Sequence, residues 1–197
     1  MYRSIRLEDN KFRFTTENLP CLIHGIEHSG ASQFTVSVIA DLYKQGFKIL
    51  FLSGYPMARE ELVSQIEEPD DTVLFDDENK LQSSFSKRVI FIPREKEELF
   101  IEAAHTLPDI DDRVILVKNI DLFNAKIFEA VKDRKKIILS GDLDKCIYKD
   151  QILKLDFKTK ILFSQPIADI EITIPKLEKY KGYLFSGNSN GIISLGA

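Results

Sequence analysis

Short runs of apolar residues alternate along this chain with longer stretches in which apolar residues recur at helical spacing. That alternation predicts a mostly parallel sheet flanked by helices. "PCLIHGI" (20–26) is a short buried strand in this reading. In the following "SQFTVSVIADLYKQG" Phe34, Val38 and Leu42 recur every fourth residue, which predicts a helix stopped at Gly46. "FKILFLSG" (47–54) is the second strand, and "PMAREELVSQI" (56–66) a helix with acids in its first turn, suited to the helix dipole. The acidic, polar stretch 67–87 reads as a loop region around a short apolar piece, Thr72–Phe75.

The second half continues the alternation. "RVIFIP" (88–93) predicts a strand, and "REKEELFIEAAHTL" an amphipathic helix with Leu99, Ala103 and Leu107 on one side. Val114–Val117 is the most apolar central strand, "NAKIFEAVKDR" a helix, and "KKIILSGDL" and "TKILFSQP" two further strands. The tail changes character: "DIEITIP" alternates, and "YKGYLFSGNSNGIISLG" carries a Gly-Asn-Ser-Asn-Gly turn, which predicts an antiparallel hairpin. With right-handed crossovers the expectation is a three-layer α/β fold with a C-terminal antiparallel hairpin. One domain is expected over 1–197, with a core at about 20–166 and an extension at about 167–197.

Composition adds little to this picture. Of 197 residues, 44% are hydrophobic and 29% charged, as in an ordinary globular domain. The net charge of -4 argues against a broad phosphate-backbone footprint, although the short basic piece 131–136 keeps a nucleic-acid-binding translocase-type module open as an alternative. Cys21 and Cys146 stand far apart with no metal-ligand spacing around them, and buried reduced thiols are expected. His24, His28 and His105 do not form a metal triad at motif spacing, so no metal is expected. No apolar run spans a membrane and no signal-peptide core opens the chain, so a cytoplasmic location is expected.

Chemistry concentrates in one loop. Gly25-Ile26-Glu27-His28-Ser29-Gly30-Ala31-Ser32 matches the phosphate-loop pattern G-x-x-x-x-G-K-[ST] at both glycines and at the final hydroxyl. Ala31 stands where the pattern carries lysine. The match lies between a predicted strand and a predicted helix, where backbone amides and the helix N-terminus favour an anion without any lysine.

On these residues the chain resembles the P-loop NTPases over Pro20 to Pro166, in element order the RecA-like and motor-type branches. The resemblance makes Val114–Val117 the strand that should end in a magnesium-holding acid, and Lys118 stands there instead. A second alignment gives that role to Asp121, three residues later, and both alignments remain open. It makes "KKIILSGD" a sensor-type strand.

Phosphoryl transfer rests on positioning and electrostatics, so losing the loop lysine and the strand-end acid together should abolish efficient hydrolysis. The resemblance therefore implies a pseudo-ATPase that acts as a binding or assembly subunit. A noncanonical ATPase using Lys118, or a lysine in trans, is the enzymatic alternative. The candidate anion-binding residues are Gly25, His28, Ser29, Gly30, Ala31, Ser32, Lys118 and Asp121. No cofactor is required, and ATP, ADP, phosphate or sulfate would bind weakly. A protein partner is expected, either an active ATPase relative or a second copy. Ser53, Ser140, Asp142 and Asp144 follow strands at the edge where a crevice would open.

Overall fold

The computed structural model describes residues 5–8, 10–55, 57–66, 72–74, 87–163, 167, 174–187 and 189–195. Their strands are β1 (Ile5–Leu7), β2 (Asn10–Lys11), β3 (Cys21–Gly25), β4 (Ile49–Ser53), β5 (Thr72–Leu74), β6 (Val89–Pro93), β7 (Val114–Lys118), β8 (Ile137–Gly141), β9 (Thr159–Phe163), β10 (Lys181–Ser186) and β11 (Ser189–Leu195). The helices are α1 (Ala31–Lys44), α2 (Ala58–Val63), α3 (Glu97–Thr106), α4 (Ala125–Val131) and α5 (Lys149–Leu153).

All strands join one 11-stranded sheet in the order β2-β1-β11-β10-β9-β3-β8-β7-β4-β6-β5. From β9 to β5 the neighbours pair in parallel, and β10, β11, β1 and β2 extend the sheet antiparallel. The predicted fold class, a mostly parallel three-layer sheet with a C-terminal antiparallel hairpin, is the one observed.

The central strands β3, β4, β7 and β8 are buried along their whole length because both faces of the sheet are covered there. Successive side chains point to opposite faces. Cys21, Ile23, Ile49, Phe51, Leu116, Ile138 and Phe163 pack with Phe34, Val38 and Leu42 of α1 and Leu62 of α2. Leu22, Leu50, Leu52, Ile115, Val117 and Leu139 pack on the other face with Phe100 of α3, Phe128 of α4 and Ile152 of α5. The helix ends follow local rules: Gly46, at φ 90°, ends the turn after α1, and Asn124 caps α4 by accepting from Lys126 N at 2.9 Å.

Two features differ from the expectation. Thr72–Leu74 is not a loop piece but an edge strand, paired in register with Val89–Phe91 of β6. The segment before β3 also contributes strands: β1 lies beside β11, with Ile5 opposite Leu195. Most of the alternating stretch 169–175 lies outside the described residues. Both cysteines are free and buried, and burial pushes their thiols up. No described helix is long and apolar enough to cross a membrane.

Candidate functional site

The carboxyl ends of β3, β4, β7 and β8 lie side by side, and the loops leaving them enclose a cleft of about 320 Å³. Crevices at this edge of an α/β sheet are where ligands bind. The wall includes Gly25, His28, Gly30, Ala31 and Ser32 from the β3–α1 loop, Asn119 and Asp121 after β7, and Ser140 to Asp142 after β8. A larger concavity of about 500 Å³ opens at the amino ends of the strands around Arg134 and Lys136. Two of its cations pair with acids, Arg134 with Asp111 at 2.6 Å and Lys136 with Asp112 at 3.8 Å.

The loop between β3 and α1 is tightly folded. Ser29 N donates to Ile26 O at 3.2 Å, and Ala31 N donates to Ser29 Oγ at 3.4 Å. Gly25 is required: a Cβ there would stand 2.6 Å from both Ala31 Cβ and Ser29 Oγ. Gly30 adopts φ +99°, and a Cβ on it would meet Tyr180 Cδ1 at 2.9 Å and Tyr180 Cα at 3.0 Å. Tyr180 is itself at φ 66°, so two left-handed residues are pressed together at the cleft's edge. Ala31 is buried, its methyl turned toward Gly25 and the core of that face. The Thr35 hydroxyl donates to Ala31 O within α1 and ties the helix to β8 through Ser140 Oγ, 2.8 Å away.

The other sequence-derived candidates separate. Ser32 and His28 are exposed on the cleft wall, and His28 Nε2 stands 3.7 Å from Glu27 Oε1. Ser29 is buried in the loop and does not line the cleft. Lys118 is only 2% exposed and lies outside the wall. It does not snorkel to solvent: its Nζ pairs with Glu61 Oε2 at 3.5 Å, and Glu61 is part of the wall. Burial pushes the Lys118 ammonium below its ordinary value, while Glu61 pulls it back up.

Asp121 does line the cleft. Asn119 at φ 62° turns the chain back after β7, and a 3-10 turn over Ile120–Leu122 holds Asp121 over Gly141. The chain therefore does not carry this carboxylate past the strand end. Asp121 Oδ1 accepts from Asp142 N at 3.0 Å. Burial pushes its carboxyl up, and the bond from Asp142 N opposes that.

Several wall residues were not among the sequence candidates, three of them bearing on the charge and polarity of the cleft. Glu61, Asn119 and Lys145 come from α2 and from the turns after β7 and β8, whose approach no spacing in the sequence announces. Among the described residues Glu27, Glu61, Asp121 and Asp142 face one ammonium in the wall, Lys145, which pairs with Asp142 at 3.3 Å. A magnesium–triphosphate group fits this wall poorly. The loop offers no cation, the end of β7 offers an ammonium, and the nearest carboxylate has one oxygen already committed.

His24, Asp142 and Asp144 bring ligand-type atoms within 4.8 Å of one another. Leu143 N donates to His24 Nδ1 at 3.2 Å, so that nitrogen already has a partner, while Nε2 is buried without one.

No protein-family model matches the sequence, and no curated protein matches it either. Solved structures do match in fold. The genome packaging NTPase B204 from Sulfolobus turreted icosahedral virus 2, in complex with sulfate, superposes with TM-score 0.58 at 13% identity, over 90% of this chain and 95% of that one. A structure described as an ATPase gives TM-score 0.56 at 8% identity, over 100% of this chain and 86% of that one. The segment holding ATPases 2 and 3 of Thermomonospora curvata EccC gives 0.56 at 10% identity, over 98% of this chain and 40% of that one. The chain thus has the P-loop, RecA-like fold of these ATPases.

Proposed function

We propose that this chain is an NTPase-like domain that no longer transfers phosphoryl groups and works through binding, as a subunit of a larger protein assembly. The observation that carries this reading is the Lys118–Glu61 pair. A buried ammonium occupies the end of the strand from which a P-loop enzyme would hold its metal, and its charge is spent on a neighbouring carboxylate. The methyl of Ala31, packed toward Gly25 where the loop pattern carries lysine, supports the same conclusion. The two changes remove the electrostatic parts on which phosphoryl transfer depends.

The test is a thermal-shift and phosphate-release series with ATP, ADP and pyrophosphate, each with and without magnesium. The expected outcome is release at the background rate and no magnesium-dependent shift. A saturating ligand at 100 times its dissociation constant would add about 2.7 kcal/mol of stability, so binding is easily seen. Turnover above background overturns the reading and favours a noncanonical ATPase, in which Asp121 holds the metal and a neighbouring subunit supplies the lysine. The double change Ala31→Lys with Lys118→Asp should restore part of the nucleotide affinity.

A further inference from the structure

We infer that the cleft receives an arginine or lysine side chain from an extended, apolar segment of a partner protein. This rests on the reading above, that the cleft is a binding site no longer committed to a triphosphate. Three independent features point to this occupant.

The first is charge. Glu27, Glu61, Asp121 and Asp142 line a space whose one lining ammonium, Lys145, already neighbours Asp142. Lys118, behind the wall, is matched by Glu61. Among the described residues the four carboxylates exceed the ammonium groups even when Lys118 behind the wall and Lys179 at the rim are added to Lys145, so the field inside favours a cation and repels a phosphate chain. Walls of protein on several sides lower the effective dielectric and strengthen that preference.

The second is an orphaned acceptor. Asn119 lines the cleft, and its Oδ1 is buried without a hydrogen-bond partner. A buried acceptor left alone is costly, and a donor from a ligand relieves that cost once a turn of the Asn119 side chain brings the oxygen into the cleft. A guanidinium carries five N–H donors in a planar fork and can serve a carboxylate and a neighbouring amide oxygen together.

The third is the rim. Most large apolar side chains among the described residues are buried; of the five that are exposed, Ile147 (90%) lies outside the cleft wall, and the other four are Ile26 (36%), Tyr55 (51%), Met57 (70%) and Tyr180 (50%). Ile26, Tyr55 and Tyr180 line the cleft, and Met57 follows Tyr55 closely in the chain. Aromatic and methionine side chains gathered around a polar pocket are what an interface core presents. The Tyr180 ring already has Lys179 Nζ 4.9 Å from its centroid, so cation-over-aromatic packing occurs at this edge. An apolar segment with one basic residue satisfies the rim and the floor at once.

The experiment uses the full chain and two blocked, fluorescein-labelled pentapeptides read by fluorescence anisotropy. One has a central arginine flanked by leucine and phenylalanine; the other has glutamate in its place. Saturable binding of the arginine peptide alone is expected, weakened about tenfold by Asp121→Asn and by moderate salt. Tyr55→Ala, at an exposed position, should weaken it independently and keeps the test valid if Asp121→Asn does not fold. Equal binding of both peptides, or binding of neither up to millimolar concentration, overturns the inference. So does self-association by sedimentation that Asp121→Asn abolishes, because the occupant would then be a second copy. Phosphate release measured on the same samples separates the two conclusions. ATP turnover overturns the proposed function and, with it, the premise of the inference, whatever the peptides do. Absence of both turnover and peptide binding sinks the inference alone.

Discussion

Lys118 Nζ lies 3.5 Å from Glu61 Oε2, joining a residue buried at the end of β7 to a partly exposed one on α2. The pair is lopsided: the lysine side chain is 3% exposed and the glutamate 41%. Losing the partner therefore costs more than such a distance suggests, because the ammonium stays buried while its counter-charge goes. Solvent screening at Glu61 reduces the figure.

Glu61→Gln is expected to destabilise the fold by about 1–2 kcal/mol in urea unfolding. Lys118→Met added to it should recover most of that loss, since the buried charge disappears with its stem retained. A double-mutant cycle checks this: simple additivity of the two changes would show that the ion pair contributes nothing.

A second buried ion group holds the amino end of β7. Arg113, fully buried, donates through Nε to Asp109 Oδ1 at 2.8 Å, and Lys48 Nζ contacts Asp109 Oδ2 at 2.6 Å. Asp109→Asn should cost about 3 kcal/mol, because a buried guanidinium loses its carboxylate. Burial by itself pushes the Asp109 carboxyl up, but the bonds from Arg113 and Lys48 overcome this and hold it below the usual 3.8. A depressed carboxyl stabilises the fold above its unfolded value, and the contribution is lost as pH falls through the folded value. Urea midpoints measured below pH 4 should therefore drop more steeply in the wild type than in Asp109→Asn.

His24 gives a separate pH signature. Burial pushes its imidazole below the usual 6.5, against the pull of Asp144 and Asp142. The unfolded chain takes up a proton near pH 6.5 while the folded one resists until lower pH. Stability is thus complete above the unfolded value and falls as pH drops toward the folded one. The slope between neutral pH and pH 5 should vanish in His24→Gln, measured by urea unfolding at each pH. An unchanged slope would assign it to other groups.

Two glycines separate backbone strain from crowding. Gly30 and Gly46 both have left-handed backbones, at φ +99° and +90°. A Cβ on Gly46 meets nothing within 4 Å, whereas one on Gly30 meets Tyr180 at 2.9 Å. Gly46→Ala should cost about 1–2 kcal/mol, the left-handed penalty alone. Gly30→Ala should cost more, and it should also alter ligand binding in the cleft. Equal losses in thermal or urea unfolding would mean that Tyr180 yields freely.

Much of the fold is legible in the sequence because parallel strands covered on both faces are written as unbroken apolar runs. "ILFLS" and "VILVK" are such runs, and each is buried along its whole length. The short pieces are not legible. Thr72–Leu74 becomes a strand only because β6 offers a free edge, and Ile5–Leu7 only because β11 does. The site was legible as a loop and not as a set of charges. Ala31 and Lys118 are plain in the sequence, but Glu61 lies 57 residues from Lys118, and α2 decides their meeting. The inward return of Asp121 depends on the left-handed backbone of Asn119, which no spacing rule encodes.

The sheet also acts as a partition. Phe34 and Phe100 lie in separate apolar clusters on its two sides, and no side chain belongs to both. A cavity opened at Phe100 would loosen the α3–α4 layer while α1 kept its seat beneath the phosphate-type loop. The mouth itself is moored from both sides: the β3–α1 loop rests on the Phe34 cluster, while Ile120 and Leu143, beside Asp121 and Asp142 of its wall, belong to the Phe100 cluster.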